Sequence, residues 1–359
     1  MNWSRRAALA VGGLSLARLG AAQTAGNVRH WRQGTPWLET DNPRVVAADA
    51  TNLVVLVAPH VRGVQDGTCG FVSIDKRSRA VRRILRCGLD LLPQQLADVQ
   101  SDGQALFWVQ GSRLMRTHIA SGETRELTAR GALRLALHDG RVHVLNHNNH
   151  QKLEAFDVLT GQALGFVPVP PGGTHLALDG QAAWLLTSVG PKEPSVLHRI
   201  DLVRGERAEV LRTGAGTLRF DAMAAYTRPE DAAQGRISGL YLVEHDFRRV
   251  TTRLLHVRAS DGHPTEWPLG AIDAGRPFYA DANALYFVAS TNGSLRGLDT
   301  TAGLYRLGHG HATPRLLDQD VFAPASLLAD CIGLIRARCT NCRHAPGGNM
   351  ANHLAWRCP

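Results

Sequence analysis

Lysine is nearly missing from this chain. Of its forty basic residues only Lys76, Lys152 and Lys192 are lysines, and thirty-one residues are acidic. So strong a skew to arginine, beside abundant Ala, Gly and Leu, reads as coding bias rather than selection for a partner. The formal charge of +9 is also scattered, with no block of five or six like charges. Phosphate tracking needs a basic stripe or patch, so nucleic acid is excluded as a partner. No run of eighteen apolar residues exists to span a membrane as a retained helix. Amphipathic helices of useful length are missing too. There is no G-x-S-x-G and no P-loop, so neither a nucleophile elbow nor a phosphate-cradling motif announces an enzyme. With 44% hydrophobic and 20% charged residues, the 359-residue chain is neither disordered nor fibrous.

Met1 to Ala22 reads as an export signal. Arg5 and Arg6 supply the charged start, Ala7 to Ala17 the short apolar core, and Gly20 and Ala22 the small residues before a cut at Gln23. Eleven apolar residues are too few to cross a bilayer. Ser4-Arg5-Arg6-Ala7-Ala8-Leu9 is similar to the twin-arginine signal of bacteria, although Ala8 stands where Phe is usual. Cleavage would remove Arg5, Arg6 and Arg18, lowering the charge by three to +6. The expected destination is the periplasm or the exterior of a bacterium, where thiols become disulfides.

Beyond the signal the chain repeats. An apolar stretch, a tight polar turn and a second apolar run recur, as in Leu135-Ala-Leu-His-Asp139-Gly140-Arg141-Val142-His-Val-Leu145 and Leu176-Ala-Leu-Asp179-Gly180-Gln181-Ala182-Ala-Trp-Leu-Leu186. Asp-Gly and Asn at these turns suggest the positive φ angles of a two-residue hairpin. A second hairpin follows in each unit, turning at Ser121-Gly122, Thr160-Gly161, Arg204-Gly205 or Asp261-Gly262. First strands begin near Val45, Ala97, Leu133, His175, Asp221, Phe278 and Ala325, a mean spacing of about 47 residues. Four antiparallel strands at that period make a β-propeller blade. The expected fold is therefore all-β: one propeller domain over residues 23–359, with seven four-stranded blades, or six as the alternative count. Residues 325–359 hold only three strands, and Asn27 to Arg32 could supply the fourth, closing the last blade from the N-terminus.

Phe107-Trp108 followed by Arg113-Leu114-Met115-Arg116 resembles the bacterial propellers related to YWTD and PQQ-type repeats. Ala155-Phe-Asp157-Val-Leu-Thr160-Gly161 is similar to part of the PQQ-type blade signature, without the Trp that usually follows the Gly. The resemblance is structural and implies the propeller fold. It implies no quinone, and no cofactor is expected. Such folds host enzymes, receptors and scaffolds alike.

Six cysteines are present. Cys69 and Cys87 fall in the first blade, and a disulfide between them would stabilise it by roughly 3 kcal/mol in the chain-entropy account. Cys331, Cys339, Cys342 and Cys358 cluster in the closing blade, where sequence leaves three pairings open. Two disulfides are expected there. A zinc site built on Cys339 and Cys342 is the sharper alternative, but an oxidising compartment opposes it, so no metal is expected. Covalent haem would need His where Arg343 stands.

Loops joining second to third strands, and those joining blades, open on one face of a propeller. That face holds His60, Arg62 and Asp66; His147 and His150; Glu244, His245 and Asp246; Asn292 and Arg296; and His344. The opposite face carries mostly Asp-Gly and Ser-Gly turns. His143 alternates along a strand and so shares no face with His147 and His150. His309-Gly-His311 is expected in an idle outer turn. These features suggest a monomeric, exported binding or scaffold propeller that engages a protein, peptide or glycan of the cell envelope. The alternative is a periplasmic hydrolase or lyase with a His/carboxylate site at the channel mouth.

Overall fold

The computed structural model describes residues 28–30, 44–48, 52–57, 70–75, 78, 80–86, 96–110, 112–128, 132–146, 151–190, 193–214, 216–267, 269, 271–273, 278–290, 302–319, 323–328, 331–339 and 350–357. After β1 (Val28–His30), a first sheet runs through β2 (Arg44–Ala48), β3 (Asn52–Val57), β4 (Gly70–Asp75) and β5 (Val81–Arg86). The second sheet is β6 (Leu96–Ser101), β7 (Ala105–Gln110), β8 (Arg113–His118) and β9 (Thr124–Thr128). The third is β10 (Ala132–His138), β11 (Arg141–Asn146), β12 (Lys152–Asp157) and β13 (Ala163–Pro168). The fourth is β14 (Gly173–Leu178), β15 (Ala182–Thr187), β16 (Val196–Asp201) and β17 (Arg207–Arg212). Blade five is β18 (Leu218–Tyr226), β19 (Gly239–Asp246), β20 (Thr251–Arg258) and β21 (Pro264–Trp267), with the short helix α1 (Pro229–Ala232) between β18 and β19. Blade six is β22 (Tyr279–Ala280), β23 (Ala284–Ser290), β24 (Ala302–Gly308) and β25 (Arg315–Gln319).

The seventh sheet takes β26 (Ala323–Leu328), β27 (Cys331–Cys339) and β28 (Met350–Arg357) from the end of the chain and β1 from its start, in the order β1-β28-β27-β26. Val28 faces Arg357 and His30 faces Ala355. The fold is thus a β-propeller of seven four-stranded blades, its last blade completed by the N-terminal strand. Two compact units divide the chain: one holds β10 to β25, the other β1 to β7 and β26 to β28, with residues of β8 and β9 in each.

Burial falls from the second strand of a blade to the fourth, and the sequence dictates it. In the unit β10 to β25, Ala182-Ala-Trp-Leu-Leu-Thr187 is an apolar run and every residue of β15 is buried, as is every residue of β23. The fourth strands β13 and β17 lie largely exposed, β17 carrying Arg207, Glu209 and Arg212 and β13 leaving Leu164 and Phe166 open to solvent. Apolar layers fill the spaces between neighbouring blades. Trp184, Leu186 and Leu197 of blade four pack with Phe220, Leu242 and Leu255 of blade five. On its other side, blade five sends Tyr226, Tyr241 and Val243 against Leu285 and Phe287 of blade six. Complete burial of such side chains contributes about 1.5–3 kcal/mol each. In the other unit, β4 and β7 are buried along all but their last residue.

Only one of the Asp-Gly turns between first and second strands adopts the expected pair of positive φ angles, Asp139 at 47° and Gly140 at 67°. At Asp179 and Asp281 the Asp side chain closes the turn instead. Asp179 Oδ1 accepts the Ala182 N–H at 2.9 Å, and Asp281 Oδ1 accepts those of Asn283 and Ala284 at 2.7 and 2.9 Å. Asp102 Oδ1 does the same for Gln104 and Ala105. An Asp bonded to its own backbone two or three residues on removes the need for a left-handed residue at Asp179 and Asp281, while Gly103 after Asp102 still sits at φ 93°. The turns between third and fourth strands are more uniform. Gly122, Gly161, Gly205 and Gly262 all sit at φ of 70–74°, each donating its N–H to the carbonyl four residues back at 2.8–2.9 Å.

Cys69, Cys87, Cys342 and Cys358 lie outside the described residues. Cys331 and Cys339 begin and end β27, so their Cα atoms are about 26 Å apart along an extended strand. A disulfide needs less than about 7 Å, which removes the Cys331–Cys339 pairing. The register sets Ile332 opposite Arg357, the chain neighbours of Cys331 and Cys358. Among the described residues no helix is long and apolar enough to cross a membrane, and no group of three metal-ligating side chains occurs.

Candidate functional site

Of the residues expected on the ligand-binding face, Glu244, His245 and Asp246 are described. They end β19, where blade five turns into β20. His60, Arg62, Asp66, His147, His150, Asn292, Arg296 and His344 lie outside the described residues.

Register explains much of the local chemistry. Glu244 faces Arg253 directly across β19 and β20, the placement at which opposite charges attract. The two are ion-paired, and Arg253 Nη1 also donates to Glu266 Oε2 at 2.9 Å. Glu244 is only 3% exposed, so the guanidinium neutralises a carboxylate that burial would otherwise penalise. His245 faces Arg219 on β18. A bulge between Phe220 and Ala222 interrupts that strand at Asp221 and re-aims the carboxylate. Asp221 Oδ2 consequently stands 3.0 Å from His245 Nδ1. Asp246 accepts the N–H groups of Arg248 and Arg249 at 2.9 and 3.1 Å and the Thr217 hydroxyl at 3.1 Å. Those bonds, the Arg249 N–H foremost, hold its carboxyl below the usual range.

Phe247 follows. Its ring stacks on His245 with centroids 4.1 Å apart, and the Arg219 guanidinium lies 5.4 Å from its centre. It nevertheless remains 48% exposed, and Val250 at the far side of the same turn is 39% exposed. The polar groups here are thus committed to one another, while an aromatic ring is held rigid and open.

The opposite end of blade five is different. Tyr226, Tyr241, His256 and His309 form a stack there, with the Tyr226 and His309 rings 3.8 Å apart. The Tyr226 hydroxyl lies 3.0 Å from His256 Nε2, and the Tyr241 hydroxyl 2.9 Å from His309 Nδ1. Gly239 permits the approach, since a Cβ there would come within 2.8 Å of His256 Nε2 and of Tyr226 Cε1. Burial first, then the positive groups around it, pushes His256 down to about 4, and burial raises the Tyr241 hydroxyl. His309 is therefore no idle turn residue: half-buried, it stacks on Tyr226 and bonds the Asp281 carbonyl at 2.5 Å. His143, in β11, is likewise buried and pushed to about 4, chiefly by desolvation. Sequence reasoning missed this stack because its members come from three strands and a turn. The cross-strand pair Glu244–Arg253 could have been found from aligned hairpin registers.

No protein-family model and no curated protein matches the sequence. Solved structures do. An oligogalacturonate lyase in complex with manganese superposes with a TM-score of 0.55 at 12% identity, covering 92% of this chain and 91% of its own. The oligogalacturonate lyase of Vibrio parahaemolyticus gives 0.53 at 9%, over 92% of each chain. A chain of the mitotic checkpoint complex gives 0.52 at 12%, over 89% of this chain and 92% of its own. At these identities the likeness defines the fold class, a β-propeller, and nothing narrower.

Proposed function

We propose that the protein is an exported envelope propeller that binds a protein, peptide or glycan on the face where second strands run into third strands. One observation carries the reading. At the described part of that face, Glu244, His245 and Asp246 are tied up by Arg253, Asp221 and Thr217, whereas the Phe247 ring is fixed and half open to solvent. A preorganised aromatic beside a guanidinium is how binding surfaces anchor a partner. Phe247→Ala and Arg219→Glu should fold normally and lose capture of the envelope partner held by the wild-type protein; capture undiminished in both variants would refute the reading. Export is tested separately, because replacing Arg5 and Arg6 with lysine should leave the precursor uncleaved in the cytoplasm.

A second reading rests on the Asp221–His245 pair. A carboxylate at 3.0 Å from Nδ1 orients an imidazole for proton transfer at its other nitrogen. With Arg219 nearby this could serve β-elimination next to a carboxylate, so a polyuronate is the first substrate to offer. Unsaturated product that disappears in His245→Gln would establish it.

A further inference from the structure

The turn end of blade five opens into a cleft of about 1080 Å³ beside blade four. Its wall is the twelve-residue segment from Thr227 to Ser238, which replaces the two- or three-residue turns found at Asp139, Asp179 and Asp281. The segment is pinned, not loose. Ser238 Oγ accepts the Arg228 N–H at 2.8 Å and donates to Asp231, and the Gly235 carbonyl accepts the Gly180 N–H of blade four at 2.7 Å.

The charges lining this cleft are unequally engaged. Asp179 accepts the indole N–H of Trp184 at 3.1 Å, and Glu209 accepts two bonds from Arg212 outside the cleft. Asp231 accepts from Ser238, and Asp261 pairs with Arg258 at 2.9 Å. All four carboxylates thus accept hydrogen bonds from neighbours, Glu209 and Asp261 from a cation and Asp179 and Asp231 from neutral donors. Arg228 donates a hydrogen bond to the Tyr226 hydroxyl and reaches Glu230 only at 4.0 Å. Arg199 and Arg236 also line the cleft, and neither forms an ion pair with a carboxylate among the described residues. Arg199 instead lies 6.0 Å from the Trp184 ring centre. Arg199 and Arg236 thus line the opening without a carboxylate bound to them, and a guanidinium is the side chain best suited to bidentate oxyanion contacts. The floor adds Tyr226 and a neutral His256.

We propose that this cleft is a second ligand site, for a small multivalent oxyanion bearing two or more phosphate or carboxylate groups. Its volume lies at the upper end of small-molecule pockets, too large for a single phosphate. The proposal is independent of the loop-end reading, which concerns the other end of the sheet.

Titration calorimetry of the mature protein with pyrophosphate and with citrate, at low ionic strength, tests it. Saturable binding of at least one probe is expected. Arg199→Gln and Arg236→Gln should each weaken it about tenfold, the loss of one charge-assisted contact. Arg248→Gln, at the loop end, should leave it unchanged. All three side chains are exposed, and equal melting temperatures will show that the fold is kept. Binding of neither probe at millimolar concentration, or equal binding by the Arg199→Gln/Arg236→Gln double variant, would overturn the proposal.

Discussion

The two ends of blade five share four strands and differ in how they spend their charge. At the loop end, Glu244, Asp246, His245 and Asp221 are bonded to near neighbours, and an aromatic ring stands open beside the exposed Arg248 and Arg249. At the turn end, the aromatic rings are stacked inside, and the open features are guanidiniums around a cleft. One end is prepared for apolar contact with a rigid anchor, the other for charge. The turn end differs through one local departure in an otherwise regular blade, a twelve-residue segment where other blades make a tight turn. The bulge at Asp221 recurs between the first and second strands of five other blades, and in blade five the residue it re-aims is a carboxylate.

Substitutions at the two ends should consequently separate. Arg253→Ala leaves Glu244 buried without its cation and should cost about 3 kcal/mol of stability in chemical unfolding. An effect below 0.5 kcal/mol would mean that the loop-end pair is not what neutralises Glu244. Gly239→Ala drives a methyl into Tyr226 and His256 and should cost about 2 kcal/mol, read the same way. A separate effect follows acidification. His256 titrates near 4 in the fold against about 6.5 when unfolded. The unfolded chain therefore takes up its proton first, and stability falls as pH drops from about 6.5 to about 4, with no contribution above that window. His256→Gln should flatten that part of the pH–stability curve, and a curve of unchanged slope would contradict the placement. Least of all, Phe247→Ala and Arg236→Gln should each change stability by less than about 0.5 kcal/mol, because both side chains are open to solvent.

The blade plan was legible in the sequence because second strands are buried on both faces and read as unbroken apolar runs, such as Ala182 to Leu186 and Ala284 to Val288. Fourth strands and turns supply the punctuation between them. The N-terminal closing strand was legible by subtraction, from a last blade short of one strand. Turn chemistry was legible only in part, since Asp179 and Asp281 look like hairpin residues and act through their carboxylates. The cleft was illegible for a different reason. Arg199, Arg228 and Arg236 are ordinary surface arginines in a chain full of them, and only the third dimension brings them to one opening. His309 was misplaced similarly: its interior partners Tyr226 and Tyr241 stand 83 and 68 residues earlier in the chain.

The central claim is that the loop end of this propeller is the surface that meets a partner. A photo-crosslinking residue placed in the protein at position 247, and in a second variant at position 203, tests it in the cell. Val203 is more exposed, at 80% against 48% for Phe247, but it belongs to the turn end of blade four. A discrete adduct from position 247 and none from position 203 is the result predicted. Adducts from both positions alike, or from neither, would contradict the claim.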